Sequence, residues 1–179
     1  MKRESNEIKK ENDRAASFMR FCEVVRHLRA EDGCPWDRAQ THTSLKPYCI
    51  EEAAEVIGGI NIWEATGDAE NLKEELGDLM LQILLHAQIA EEEGLFTIRE
   101  VMDGASEKMI RRHPHVFGEE SYELLGGHAD SWKEIKQIEK AGMAEDQKKA
   151  QERAVCLATQ QIIEHLQKSL DKYGDNDYK

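Results

Sequence analysis

Two clusters of acidic residues stand at equal distances from one turn, and that symmetry constrains the fold more than any other feature of the chain. Glu51-Glu52-Ala53-Ala54-Glu55 is followed by Glu75-Leu76-Gly77-Asp78, and Ala65-Thr66-Gly67-Asp68 lies midway between them. Gly and Asp are the residues expected where one helix stops and another starts. On an α-helix, residues three apart differ by about 60° around the axis and about 4.5 Å along it. Glu52 and Glu55 therefore form one jaw, and Glu75 and Asp78 a second. Folded as an antiparallel hairpin about the turn, the two jaws face each other at one level.

Between Pro47 and Ile98 there are twelve acidic residues and one base, Lys73. Four carboxylates held together repel by up to ~4 kcal/mol per pair at 4 Å and an effective dielectric near 20. Glu51/Glu55 and Glu74/Asp78 add like-charge pairs at four-residue spacing, which weaken isolated helices. Either the run is a solvated acidic face, or a cation sits between the jaws. Oxygen-only ligands suit a hard ion, Mg²⁺ or Mn²⁺, rather than zinc or copper.

The 179 residues suffice for one domain with a core, and the net charge of −12 argues against general affinity for nucleic acid or anionic membrane. Cys22, Cys34, Cys49 and Cys156 form no C-x-x-C pair, as expected of a reducing cytoplasm. The charged start, Met1 to Arg14, lacks the apolar core of a signal peptide. Leu79 to Ala90, the most apolar segment, is interrupted by Gln82, His86 and Gln88 and is no membrane span. These features predict a soluble cytoplasmic protein.

Apolar periodicity predicts helices throughout and no strand. Phe18, Phe21, Cys22, Val25 and Leu28 mark a first helix over about 17–30. Thr43 and Ser44 are candidate caps for a second, with Ile50, Ala53, Ala54, Val56, Ile57 and Ile60 as its buried side and Glu52 and Glu55 turned away. A third, about 69–93, has the stripe Leu72, Leu76, Leu79, Met80, Ile83, Ala87 and Ala90, and ends at Gly94. Thr97-Ile98-Arg99-Glu100 opens a fourth as a capping box. Its last turn carries Lys108, Arg111 and Arg112, which serve either the helix dipole or an anion such as phosphate. His113 and His115 lack further ligands at zinc spacing. Trp132 and Lys136 share a helix face, as an aromatic and cationic pair or as a core Trp with a snorkelling Lys. The boundaries expected are a charged segment at 1–16, a domain at 17–141 and a charged amphipathic helix at 142–179. The fold class is all-α, a helical bundle built around the antiparallel pair.

Five pieces in this order resemble the MazG family of nucleoside triphosphate pyrophosphohydrolases. They are Gly33-Cys34-Pro35-Trp36-Asp37, the E-E-x-x-E at 51–55, the E-x-x-D at 75–78, Arg111-Arg112-His113-Pro114-His115-Val116-Phe117, and Trp132 with Lys136. The resemblance covers about residues 20–136. It implies hydrolysis of a nucleoside triphosphate to monophosphate and pyrophosphate with Mg²⁺, Mn²⁺ being an acceptable substitute, in a homodimer or higher assembly. On the same basis Glu52, Glu55, Glu75 and Asp78 are expected as metal ligands. Lys108, Arg112, Trp132 and Lys136, with Trp36 and Arg111, are expected to contact the nucleotide.

Phosphoanhydride cleavage asks mainly for positioning and charge stabilisation. Glu51, beside the ligands, is the candidate to orient or deprotonate the attacking water. A ferritin-like di-iron protein needs Glu-x-x-His motifs, and no His here has a Glu three residues before it. A non-catalytic nucleotide-binding regulatory dimer is the alternative.

Overall fold

The computed structural model of the protein describes residues 2–125, 132–141 and 143–174. Its described residues contain no strand, and the chain is all-α. The helices are α1 (Lys2–Arg29), α2 (Pro35–Arg38), α3 (Lys46–Thr66), α4 (Glu70–Glu92), α5 (Ile98–Arg112), α6 (Pro114–Phe117), α7 (Glu119–Leu125), α8 (Trp132–Ala141) and α9 (Glu145–Gly174). They fall into two compact units, Met1–Ile98 and Arg99–Lys179. None of the described helices is long and apolar enough to cross a membrane.

In the first unit, α1 packs on α4 through the expected stripe. Val25, Leu45, Leu84, Leu85 and Ile89 form the core, with Phe18, Phe21, Cys22, Leu81 and Ile98 against it. Helix α1 starts well before Ser17, because its first half contains neither Gly nor Pro to stop it. After α1 the chain doubles back on itself. A Cβ on Gly33 would lie 2.2 Å from the His27 carbonyl oxygen, so only glycine permits this turn. Arg29, almost fully buried, holds the turn in place. Its guanidinium donates to Glu92 at the end of α4 (Nη2 to Oε2, 2.7 Å) and to the carbonyls of Asp37 (2.6 Å) and Gln40 (3.2 Å).

Helices α3 and α4 form the hairpin that the acidic motifs demand. Gly67 ends α3 in the left-handed conformation at φ 78°, and its N–H donates to the Trp63 carbonyl. Asp68 Oδ1 then accepts from the Glu70 N–H and opens α4. At the other end of α3 the expected caps are not used. The helix begins after Leu45 with no side-chain cap, and Ser44 Oγ instead accepts from the Thr41 N–H in the preceding turn.

The rotation of α3 differs from the one its apolar residues suggest. Ala53, Ala54, Ile57 and Ile60 are exposed, and Gly59 is the buried residue. Gly59 lets the helices approach so closely that a Cβ there would stand 2.8 Å from Leu72 Cα. That contact turns the line Glu52, Val56 and Gly59, at four- and three-residue steps, toward α4. Leu76, Met80 and Ile83 of α4 are likewise uncovered, whereas Leu84, Leu85, Ala87, Ile89 and Ala90 are buried. The α1 helix reaches only the second half of α4, so the first half keeps its apolar side open.

The second unit is built around the end of α5. Ser121 of α7 is fully buried and its Oγ donates to the Arg111 carbonyl at 2.9 Å. Ile135 of α8 is buried as well. Gly118, at φ 58°, makes the bend between α6 and α7. Along α9 the apolar stripe, with Val155, Ile163 and Leu170, is exposed.

Candidate functional site

The hairpin brings three of the four expected metal ligands together. One carboxylate oxygen each from Glu52 on α3 and from Glu75 and Asp78 on α4 all lie within 4.8 Å of one another. Two amides orient this set. Asn71 Nδ2 donates to Glu75 Oε1 at 2.8 Å, and Gln82 Nε2 donates to Glu52 Oε1 at 3.4 Å. Burial pushes the Glu52 carboxyl above its usual range, and the charges of Asp78, Glu55 and Glu75 push the same way against the Gln82 hydrogen bond. Glu55 is exposed and stands outside the three-residue set, though its charge still reaches Glu52. Glu51, half-buried, precedes Glu52 on α3.

The donor set fits a hard divalent ion. All three groups offer oxygen, with no thiolate or imidazole among them. Gln82 is buried, and its Oε1 has no hydrogen-bond partner among the described residues, which leaves a further oxygen acceptor unused beside the carboxylates.

One turn further along the same seam is a polar chain that the sequence reading did not anticipate. His42 Nδ1 and His86 Nδ1 are 2.7 Å apart, and the two rings stack nearly parallel with centroids 5.0 Å apart; which nitrogen donates depends on the tautomer. His86 Nε2 lies 3.4 Å from Cys49 Sγ. Burial and the neighbouring His42 lower the His86 pKa, and burial raises that of Cys49, which disfavours the imidazolium at His86 and the thiolate at Cys49. Helical spacing puts several of these residues on one face of their own helix without revealing the partner each meets. Cys49, Glu52 and Val56 recur at three and four residues, as do Asn71, Glu75 and Asp78, then Gln82 and His86.

Trp36, expected to contact the nucleotide, lies at the surface. It is 54% exposed and meets Tyr48 edge to face, with ring centroids 6.0 Å apart. Tyr48 lies four residues before Glu52, one turn up α3. In the second unit, Lys108 is exposed on α5. Arg111 and Arg112 both bind Glu139 of α8, which the sequence reading did not single out. Trp132 and Lys136 lie on α8 with side chains outside the described residues. His113 Nδ1 faces the Met109 carbonyl at 2.6 Å, and its ring is tilted against His115.

An all-α chain whose helix hairpin gathers carboxylates at one level belongs among helical proteins with an acid-lined site that could hold a metal ion. Residues 40–117 match the model of the MazG nucleotide pyrophosphohydrolase domain, and the chain belongs to that family. It is 49% identical over 123 residues to the nucleoside triphosphate pyrophosphohydrolase/pyrophosphatase MazG of Thermotoga maritima, covering 69% of this chain and 45% of that protein. Against the nucleoside triphosphate pyrophosphohydrolase of Escherichia coli K12 the identity is 40% over 127 residues, 70% of this chain and 47% of the relative. An uncharacterized Bacillus subtilis protein, YabN, is 47% identical over 133 residues, 74% of this chain and 26% of its own. The chain thus spans about half or less of the length of these relatives.

Proposed function

We propose that this chain hydrolyses nucleoside triphosphates, ribo and deoxy, to the monophosphate and pyrophosphate, with Mg²⁺ as its ion and Mn²⁺ as a substitute, in a nucleotide-pool cleaning role in the cytoplasm. The observation that carries the reading is the Glu52, Glu75 and Asp78 set within a MazG domain. Two of the relatives above bear the name of this activity. The catalytic domain is assigned to 17–141. A homodimer is part of the proposal, because Ile57, Ile60, Leu76, Met80 and Ile83 leave an apolar surface on the hairpin that a second copy would cover.

Glu52, Glu75 and Asp78 would hold the ion, with Glu55 completing the set; bound there, it would supply charge neutralisation at the phosphates and lower the pKa of a water. Glu51 orients that water or accepts its proton, being next to the ligands in the chain. Lys108, Arg111, Arg112 and Lys136 supply positive charge for phosphate oxygens, which the stretch between Pro47 and Ile98, with Lys73 as its one Lys or Arg, cannot do. Trp36 and Trp132 offer aromatic faces to a base, a contact that tolerates any base.

The test is release of monophosphate and pyrophosphate from a panel of nucleoside triphosphates with Mg²⁺, beside EDTA and a Glu52→Ala/Asp78→Ala double variant. Ion-dependent monophosphate and pyrophosphate that vanish in the variant are expected. Orthophosphate as the primary product, or no product from any nucleotide, refutes the reading and favours a nucleotide-binding regulatory dimer.

A further inference from the structure

Adjacent residues on a helix point about 100° apart, yet Arg111 and Arg112 converge on one carboxylate. Glu139 receives Arg111 Nε at 2.9 Å on Oε1 and Arg112 Nη2 at 2.8 Å on Oε2, with Arg112 Nε at 3.2 Å from both oxygens. All three side chains are three-quarters or more buried. Ordering two long side chains there has an entropic cost that a surface pair does not recover. A bidentate, mostly buried pair does recover it, because its geometry is fixed.

The location gives the cluster its meaning. Arg111 and Arg112 end α5, three and four residues after Lys108, and Glu139 lies three residues after Lys136 and seven after Trp132 on α8. Buried Ser121, bonded to the Arg111 carbonyl, and buried Ile135, one turn before Glu139, fix the same junction. The cluster is therefore the polar link between the two helices that carry the proposed nucleotide contacts.

We propose that Glu139 is a positioning residue for nucleotide binding: by holding Arg111 and Arg112 together it sets the register of α5 against α8, so that Lys108 and Arg112 address the same nucleotide as Trp132 and Lys136. The proposal rests on the pyrophosphohydrolase reading above. The opposite view treats Glu139 as an internal competitor that occupies arginines meant for phosphate. The two views differ in sign. Removing the Glu139 charge makes the cluster more positive, which by electrostatics alone favours an anionic substrate. A positioning role instead demands weaker binding despite the extra positive charge.

The experiment is steady-state kinetics of the full chain with Mg²⁺ and a nucleoside triphosphate turned over by the wild type, with far-UV circular dichroism confirming the folded state. Glu139→Gln is expected to raise KM roughly tenfold or more, with kcat changed by less than about threefold. Glu139→Asp, which keeps the charge one methylene shorter, is expected to recover part of that loss. If Glu139→Gln does not fold, Glu139→Asp decides on its own, with a raised KM expected. A KM unchanged or lowered in the folded variants overturns the proposal, since a merely structural role reduces the folded fraction without moving KM. A wild-type chain without nucleotide turnover removes the underlying reading and the proposal together, whereas wild-type turnover with an unmoved KM in the variants removes only the proposal.

Discussion

Gly59→Ala places one methyl group where the structure has least room for it. The new Cβ would lie 2.8 Å from Leu72 Cα, 3.0 Å from Leu72 N and 3.2 Å from Asn71 Oδ1. Carbon atoms in good contact sit about 3.5 to 4.0 Å apart, so backbone on one side must retreat by roughly 1 Å. Both close Leu72 atoms belong to helical backbone and cannot rotate away. Overpacking of this kind costs about 1–3 kcal/mol, and rigid backbone puts Gly59 at the upper end. Alanine returns about 1 kcal/mol through its better helix propensity. The net expectation is a loss of about 2 kcal/mol, or a Tm lowered by roughly 4–8 °C for a chain of this size. The displaced Asn71 is also the donor to Glu75 Oε1, so the carboxylate set should loosen with it. Thermal unfolding followed by circular dichroism gives the first quantity, and Mn²⁺ titration by electron paramagnetic resonance gives the second. A Tm at or above wild type together with unchanged Mn²⁺ affinity would refute the claim that close approach at Gly59 sets the geometry of the site.

Three further outcomes follow from the same structure. Arg29→Met removes a buried cation from Glu92 and two carbonyls, and is expected to destabilise the first unit by about 3–5 kcal/mol in urea unfolding, whereas replacing surface-exposed Arg99 should change little. The raised pKa of Glu52 means that its protonated form favours the ion-free fold, a contribution fully present below the ordinary carboxylate value and lost as pH rises through the elevated one. Across that window the Tm of ion-free wild type should therefore fall relative to Glu52→Gln, and saturating Mg²⁺ should reverse the sign; parallel Tm profiles for the two proteins would count against it. Glu51→Gln should keep Mn²⁺ affinity while lowering turnover by roughly 10²-fold, and unchanged turnover would remove Glu51 from the mechanism.

The hairpin was legible because its signals are local: Gly67 for a left-handed stop, Asp68 for the next start, and acidic residues at helical spacing. What periodicity misjudged was rotation. Ile57, Ile60, Leu76, Met80 and Ile83 are apolar and were assigned inward, yet packing on α3 and α4 is decided by Gly59, which has no side chain for a pattern to count. Polar partners in the site were missed for a related reason. Gln82, His42, His86 and Glu139 acquire their roles from residues 30, 44 and 27–28 positions away, and no local spacing reveals such partners. Trp36, expected at the nucleotide from the resemblance, lies at the surface against Tyr48, a contact that its own short helix gives no spacing to predict.

Arg29 grips α4 at its last residue, Glu92, and Gly59 presses on α4 at Leu72, near its first. The helix is thus a beam pinned near both ends, with Glu75, Asp78 and Gln82 on the span between the pins. Carboxylates on a free beam would drift apart and relieve their repulsion; on this one they stay where an ion needs them. The spacing of the three carboxylates is then a property of the hairpin's frame, set by contacts at residues that carry no part of the site's charge.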